Sequence, residues 1–147
     1  MAKSPQLMRG PLGGGYVFGE QSSDEREKLT MTTRDTIQGY LDSLKQKGAW
    51  DAFLANEMVF TSFTTPIKRV TGKGAYLEET KRFYSMIKAL EIKDIVVEGE
   101  MACVFTRYEL QPPGAPVFES HVAEVFKVRE GKIRSFDIYF DSAPFPK

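Results

Sequence analysis

The apolar positions between Thr32 and Gly48 follow the period of an α-helix. Thr32 and Asp35 are spaced as in a capping box, and Gly48 is a residue type that commonly ends a helix. We therefore expect an amphipathic helix in this part of the chain. The positions of its apolar face, at i, i+3, i+4 and i+7, are Ile37, Tyr40, Leu41 and Leu44.

The following segment mixes helical and strand-like patterns. Trp50, Phe53 and Leu54 share one face of a short helix. Met58 to Thr65 is rich in residues that favour strands and predicts a first, short strand. Gly72-Lys73-Gly74 then interrupts the chain, and a second long helix is expected after it. The positions that mark this helix are Tyr76, Leu77, Thr80, Phe83, Tyr84 and Ile87.

Four longer β-rich segments make up the rest of the chain. Turn-forming residues separate them at Gly99-Glu100, at Pro112-Pro113-Gly114 and at Glu130-Gly131. Helices followed by consecutive strands indicate an α+β fold, in which a curved antiparallel sheet wraps around its helices and leaves a cavity. The segments are Leu90 to Glu98, Met101 to Leu110, Val117 to Val128, and Ile133 to Phe140.

Residues 1–30 differ in composition from the rest of the chain. Five glycines, two prolines and the charged run from Asp24 to Lys28 provide little apolar surface. We expect a flexible leader here, followed by a single domain over residues 31–147. Gly13-Gly14-Gly15 lacks the preceding strand and the following Gly-Lys-Ser/Thr of a phosphate-binding loop. Met31 could be the native start, and we expect deletion of the leader to be harmless.

Charge and composition argue against several classes of function. The 147 residues include 20 Lys+Arg and 20 Asp+Glu, so no basic excess favours nucleic acid or an anionic membrane as a partner. One cysteine, Cys103, and one histidine, His121, exclude an intramolecular disulfide and argue against a Cys/His metal site. No segment has the apolar length of a bilayer span or of a secretory signal. We therefore expect a cytoplasmic protein.

Six segments together carry a family resemblance: Gln38-Gly39-Tyr40-Leu41, Trp50-Asp51-Ala52-Phe53-Leu54, Val70-Thr71-Gly72-Lys73-Gly74, Glu98-Gly99-Glu100-Met101-Ala102, Ala123 to Ile133, and Tyr139-Phe140-Asp141. In this order they resemble the nuclear-transport-factor-2-like superfamily, in particular its SnoaL-like branch of ketosteroid isomerases, polyketide cyclases and limonene epoxide hydrolases. The resemblance spans about Thr32 to Pro144. It implies a cone-shaped curved sheet around N-terminal helices, a pocket for a small apolar molecule, no metal or organic cofactor, and a homodimer.

The pairing of the last two strands decides whether Glu124 faces this pocket. A three-residue loop, Arg129-Glu130-Gly131, would place Glu124 on an aromatic face. A two-residue turn, Glu130-Gly131, would instead place Asp137 and Tyr139 beside Glu124. We favour the three-residue loop because it gathers the aromatic residues on one side. Glu124 then shares its face with Phe126, Phe136, Ile138 and Phe140, and the outer face carries His121, Val125, Asp137 and Tyr139.

Glu124 is the main candidate for chemistry. On an aromatic face, loss of hydration favours its neutral acid, which can donate a hydrogen bond to a developing oxyanion. The resemblance places Tyr40 and Glu124 where ketosteroid isomerases have an oxyanion-binding Tyr and Asp. It also implies that Arg107 anchors an anionic or carbonyl group. The resemblance also implies that four residues of the strand from Met101 to Leu110 point into the pocket, namely Cys103, Phe105, Arg107 and Glu109.

A general base is harder to place. The resemblance puts the base carboxylate of the ketosteroid isomerases near Thr61-Ser62, whose hydroxyls cannot act as bases at pH 7. Glu57, Asp51 or Glu109 would have to take that role. His121 is expected outside the sheet and away from Cys103, which argues against a nucleophilic dyad.

Two functions are compatible with these residues. The first is a cofactor-independent isomerase, cyclase or hydrolase acting on an apolar carbonyl or epoxide compound, with Glu124 and Tyr40 polarising an oxygen and Arg107 assisting. The alternative is a non-catalytic ligand-binding or dimeric interaction domain, in which Glu124 is structural and pairs with Arg107 or with tyrosine and backbone groups. The expected ligand-contacting residues are Trp50, Phe60, Phe83, Phe105, Phe126, Phe136 and Ile138.

Overall fold

A computed structural model describes residues 32–64 and 66–145 of the chain. The predicted leader, its Gly13-Gly14-Gly15 segment and Met31 lie outside these described residues. The elements in chain order are α1 (Thr33–Lys45), a 3-10 helix (Trp50–Phe53), β1 (Leu54–Ser62), β2 (Lys68–Thr71), α2 (Lys73–Ser85), β3 (Ile87–Glu98), β4 (Met101–Leu110), β5 (Phe118–Arg129) and β6 (Lys132–Phe140).

Both long helices form where the hydrophobic pattern predicts them. At the start of α1, the Thr32 hydroxyl accepts a hydrogen bond from the Asp35 backbone N–H at 3.0 Å, and the Asp35 carboxylate accepts one from the Thr32 N–H at 3.3 Å. The expected apolar face of α1 is buried. Leu54 and Ile87, assigned to helices by their spacing, instead open β1 and β3. None of the described helices is both long and apolar enough to cross a bilayer.

The six strands form one sheet in the order β2-β1-β6-β5-β4-β3. β3 to β6 form the predicted antiparallel meander. β1 lies parallel to β6, so the sheet is mixed and not purely antiparallel. The four residues of β2 were not predicted as a strand. Val70 is the only apolar residue among them, so the sequence shows no apolar alternation there. The α+β class is confirmed, with β1 at an inner position of the sheet.

The turn between β5 and β6 is shorter than the expected loop. Arg129 pairs with Lys132, so the turn contains only Glu130 and Gly131. These two residues have φ values of 54° and 72°. Positive φ at both positions is what a type I′ two-residue hairpin turn requires, and the twist of such a turn matches that of the strands. The three-residue loop is therefore wrong.

A β-bulge at Arg134 compensates for the shorter turn. Arg134 has no partner on β5, and an extra residue on one strand reverses the direction of every side chain that follows. Glu124 consequently pairs with Ile138 and shares its face with the aromatic residues. The predicted face of Glu124 is confirmed, although the bulge produces it and not a longer loop. The pairs that flank the bulge are Val128–Ile133 and Lys127–Ser135.

The residues of β4 that point into the domain are not those that the resemblance implied, but the alternate set. Directly paired residues of antiparallel strands point to the same face, and Val104 pairs with Glu124. The residues of β4 that are buried are Ala102, Val104, Thr106, Tyr108 and Leu110. The inward direction expected for Cys103, Phe105, Arg107 and Glu109 is wrong, because strand alternation places all four on the outer face.

Candidate functional site

A cavity of about 170 Å³ lies between α2 and the inner face of the sheet. Phe145, which follows β6, also contributes to the wall and packs against Phe140 at a centroid distance of 5.1 Å. The wall is mainly aromatic, which suits an apolar ligand. Its other aromatic residues are Phe60, Tyr76, Phe83, Tyr84, Tyr108 and Phe136, and its polar residues include Ser62, Glu79, Thr80, Ser120 and Glu124.

Glu124 is the buried carboxyl group of this wall, and it is 2% exposed. Thr106 Oγ1 donates a hydrogen bond to Glu124 Oε1 at 2.9 Å, and the Tyr108 hydroxyl donates one to Oε2 at 2.9 Å. Burial raises the pKa of Glu124 to about 7, while these two hydrogen bonds stabilise the ionised form and lower it. Near neutral pH the group is present in both forms and can take up or release a proton.

Three tyrosine hydroxyls form a hydrogen-bonded chain close to Glu124. The Tyr84 hydroxyl lies 2.9 Å from that of Tyr40 and also bonds to that of Tyr76. Three hydroxyls carry three protons but share only two hydrogen bonds, so one O–H is left over. Either hydroxyl of each pair can be the donor, and Tyr76 and Tyr84 line the cavity whereas Tyr40 does not, so a spare O–H on Tyr76 or Tyr84 is the one that a ligand could use.

The tyrosines remain protonated donors at ordinary pH. Burial raises the pKa of Tyr40, Tyr76 and Tyr84 well above its ordinary range, and the nearby negative charge of Glu124 adds to the rise. The pKa of Tyr108 is raised for the same two reasons. The cavity therefore combines one proton-exchanging carboxyl with neutral O–H donors.

The predicted grouping of Glu124 with Tyr40 and Arg107 is not found. Tyr40 is fully buried and bonds to Tyr84, whereas the tyrosine that contacts the Glu124 carboxyl is Tyr108. Arg107 points away from the cavity on the outer face, so it neither assists there nor pairs with Glu124. The carboxylates that accept its hydrogen bonds are Glu91 at 2.9 Å, Glu109 at 3.1 Å and Glu119 at 3.1 Å.

Four of the expected ligand-contacting residues line the cavity, namely Phe60, Phe83, Phe136 and Ile138. Trp50 stacks on Tyr84 at a centroid distance of 4.0 Å and supports the wall from behind. Phe126 is fully buried and packs against Phe136 at 4.4 Å, as part of the core next to the cavity. Phe105 was placed wrongly, because it lies on the outer face and is 44% exposed.

None of the three carboxylates considered as a general base lines the cavity. Glu57 forms an ion pair with Arg134, Glu109 bonds to Arg107 on the outer face, and Asp51 belongs to the 3-10 helix. A carboxylate that the sequence analysis overlooked, Glu79 of α2, does reach the wall. Glu79 is half exposed and forms an ion pair with Lys68 at 2.6 Å at the surface.

His121 and Cys103 lie on the same outer face, which corrects the inward direction expected for Cys103. His121 pairs with Arg107, whereas Cys103 pairs with Val125, four positions away along β5. This offset corresponds to roughly 13 Å, which is too far for a nucleophilic dyad. Within residues 32–64 and 66–145, no group of three or more His, Cys, Asp or Glu side chains is arranged to hold a metal ion.

Thr106, Tyr108 and Ser120 are site residues that the sequence analysis missed. A usable signal was present for the first two, because the even-numbered positions of β4 carry no charge whereas the odd-numbered ones include Arg107 and Glu109. That contrast marks the even-numbered set as the inner one. A comparable signal was present for Ser120, because strand alternation places it on the inner face already predicted for Glu124.

The model of a known family matches most of this region: a SnoaL-like domain model covers residues 37–136. The chain belongs to the SnoaL-like family. This confirms the resemblance noted in the sequence, and the matched range includes Glu124 and the three-tyrosine chain. A comparison with curated proteins found no match.

Several solved structures share the fold of this SnoaL-like domain. A protein from Kribbella flavida has a TM-score of 0.68 at 19% identity, over 79% of this chain and 92% of its own. An LEH-like epoxide hydrolase from M. tuberculosis has a TM-score of 0.64 at 20% identity, over 76% and 84%. A Catenulispora acidiphila protein with a ketosteroid isomerase-like fold has a TM-score of 0.63 at 18% identity, over 77% and 90%. At these identities the similarity shows the fold alone.

Proposed function

We propose that this SnoaL-like domain is a cofactor-independent isomerase that moves a proton within a small, largely apolar carbonyl compound. The observation that carries the proposal is the burial of the Glu124 carboxyl in an aromatic cavity wall, which brings its pKa to about 7. An acid–base group is most effective when its pKa lies near the working pH, because both protonation states are then available.

The contacts indicate different roles for Glu124 and for the tyrosines. Glu124 is the only buried charged residue within the described part of the chain, so it is the best candidate for the general base that the sequence left unplaced. The spare O–H of Tyr76 or Tyr84 is then the donor that polarises the carbonyl oxygen. Tyr40 is a positioning residue, because its hydroxyl orients that of Tyr84. Glu124 thus acts as the base in place of the oxygen-polarising role first expected for it.

The proposed reaction is a 1,3-proton transfer in a β,γ-unsaturated ketone. The Glu124 carboxylate removes a proton from the carbon next to the carbonyl, and the C–H electron pair forms a C=C bond. The carbonyl electrons move onto the oxygen, which accepts a hydrogen bond from the tyrosine O–H. Glu124 then returns the proton to the γ-carbon while the C=O bond re-forms. One carboxyl and one O–H donor are sufficient for this sequence.

The proposal is tested with cyclohex-3-enone as substrate, by following its conversion to the conjugated cyclohex-2-enone by ultraviolet absorbance. The wild type should accelerate the reaction, and kcat should rise with pH through a midpoint near 7, because the base must be ionised. Glu124→Gln should lower kcat by at least about 100-fold, since removal of a general base typically costs 10²–10⁴-fold.

Glu79→Gln is the matched control, because it makes the same chemical change at an exposed, ion-paired carboxylate of the same wall. This variant should keep kcat within about threefold of the wild type, since Glu79 has no part in the proposed step. Equal losses in the two variants would contradict the assignment of Glu124. Hydration of cyclohexene oxide, measured in parallel, tests an epoxide as substrate, because an epoxide hydrolase is among the proteins with a similar fold.

A second candidate function is non-catalytic binding of a small apolar molecule. It is favoured by the absence of a second buried carboxyl among the described residues, since many acid–base enzymes use two such groups. Binding of cyclohex-2-enone, without turnover of cyclohex-3-enone or of cyclohexene oxide, would support this alternative and contradict the enzyme proposal.

We also propose that the domain works in the cytoplasm as a homodimer formed through the outer sheet face. Exposed apolar side chains on this part of the surface include Phe105 and Tyr139, at 44% and 47% exposure. Arg107 lies on the same face among three glutamates, so charges of both signs are available for a twofold arrangement of two identical faces. A second copy of this chain is the occupant that fits such a surface.

A further inference from the structure

Ser120 contributes a buried hydroxyl to the cavity without a hydrogen-bond partner. The residue is 2% exposed, it lines the cavity, and within the described ranges its Oγ contacts no donor or acceptor. Most buried polar side chains in native proteins are paired, because an unmade hydrogen bond is costly. A hydroxyl left unpaired at the wall of an aromatic cavity therefore points to a polar atom of a ligand.

Ser120 lies at a defined position relative to Glu124. Both residues belong to the inner face of β5, with Val122 between them. Their backbone positions are four residues apart, which corresponds to roughly 13 Å along the strand. The Glu124 carboxyl bonds to Thr106 and Tyr108, whose partners on β5 are Val122 and Ser120, so its side chain extends along the inner face toward Ser120. A ligand that lies along this part of the strand can therefore contact both polar groups.

The size of the cavity restricts the ligand further. Its volume of about 170 Å³ is close to the ~150 Å³ of an engineered apolar cavity that binds benzene, and it is below the ~300 Å³ at which pockets for drug-sized ligands begin. A ligand of roughly six to ten non-hydrogen atoms fills such a space. A four-ring compound exceeds it.

We infer that the natural ligand is a single-ring or short-chain compound with two oxygen functions. One is a carbonyl whose oxygen accepts from a tyrosine hydroxyl and whose neighbouring carbon faces Glu124, and the other hydrogen-bonds to Ser120. A hydroxyketone of this size meets both conditions, because a Ser hydroxyl can donate to an oxygen or accept from a hydroxyl. The inference rests on the proposed function for the first oxygen, and Ser120 provides selectivity for the second.

The test compares two probes that differ in one oxygen, cyclohexanone and 4-hydroxycyclohexanone, by NMR titration of the full-length protein. The wild type should bind the hydroxyketone about tenfold more tightly than the ketone, because the added hydroxyl gains a partner. In Ser120→Ala this preference should disappear, while the Kd for cyclohexanone stays within about twofold. Ser135→Ala is the matched control, because Ser135 lies on the outer face of the sheet, away from the cavity. This variant should keep the preference for the hydroxyketone.

Each outcome separates this inference from the proposed function. Equal affinities for the two probes in the wild type, as expected if Ser120 is satisfied by water, would overturn the inference and leave the function of Glu124 intact. A preference for 4-hydroxycyclohexanone that persists in Ser120→Ala would also overturn the inference and leave the function of Glu124 intact. Failure of both probes to bind to the wild type would overturn the proposed carbonyl ligand, and the inference with it. Binding of androstenedione as tight as that of cyclohexanone would contradict the size restriction.

Discussion

The pKa of Glu124 results from two opposing effects, burial and hydrogen bonding. Burial in an aromatic wall favours the neutral acid, whereas the hydroxyls of Thr106 and Tyr108 favour the carboxylate. A fully desolvated carboxyl without such donors would remain protonated at pH 7, and an exposed one would be fully ionised. The two hydrogen bonds therefore bring the group into the range in which a base can work and be regenerated.

The stability of the protein should depend on pH through Glu124. The pKa of the folded state, about 7, lies above the ordinary value of 4.5, so the native state binds the proton more tightly than the unfolded chain. This stabilisation is complete below about pH 4 and is lost as the pH rises through 7. Between about pH 4 and pH 8, the free energy of unfolding should fall by about 3 kcal/mol more in the wild type than in Glu124→Gln. Urea denaturation at each pH measures the difference, and parallel profiles would contradict it.

Loss of the Tyr108 hydroxyl should raise the pKa of Glu124 further. Tyr108→Phe removes a donor that stabilises the carboxylate, and a hydrogen bond to a charged group corresponds to about one pKa unit or more. Tyr40→Phe is the control, because the Tyr40 hydroxyl bonds to Tyr84 and not to Glu124. Carbon-13 NMR of the Glu124 carboxyl measures both variants. A larger rise in Tyr40→Phe than in Tyr108→Phe would show that the partner is misassigned.

At the scale of elements, the hydrophobic pattern was sufficient for the two long helices and the meander. It was insufficient where the chain departs from a regular period. The bulge at Arg134 adds one residue to β6, and a sequence pattern with one extra residue can equally be explained by a longer loop. The inner face of β4 was assigned from the resemblance, although the lack of charge at its even-numbered positions favoured the correct assignment.

The bulge can be tested by deletion of Arg134. Without this residue the side chains after it reverse direction, so Phe136 and Ile138 would leave the core and Asp137 would enter it. We expect the deletion to abolish cooperative thermal unfolding as monitored by circular dichroism. Arg134→Ala keeps the residue count and loses only partly exposed ion pairs with Glu57 and Glu130, so it should cost about 1 kcal/mol or less. A deletion variant as stable as Arg134→Ala would show that the bulge does not set the register.

At the scale of the whole molecule, the order of short segments was enough to identify the fold, and a SnoaL-like domain model matches residues 37–136. The composition of the site could not be transferred in the same way. Tyr40 and Arg107 matched the resemblance by position, but the geometry puts Tyr108 on Glu124 and turns Arg107 outward. Side-chain partners across a sheet depend on register, and a shift of one residue exchanges the two faces.

The proposed homodimer places its interface on the outer face of the sheet. Phe105→Glu would put a charge at the middle of β4 on that face, and we expect the molar mass from light scattering to fall from two chains to one. Val117→Glu is the control, because Val117 is equally exposed, at 46%, but lies in the loop before β5. A wild type that is already monomeric at micromolar concentration would rule out the homodimer.

Glu124 is expected to exchange a proton inside the cavity near neutral pH. The most direct measurement is a carbon-13 NMR titration of the Glu124 side-chain carboxyl in the wild type, assigned by comparison with Glu124→Gln. We expect a single transition with a midpoint near pH 7. A midpoint near the ordinary value of 4.5 would rule out Glu124 as the base, because the carboxyl would then be hydrated and fully ionised at neutral pH.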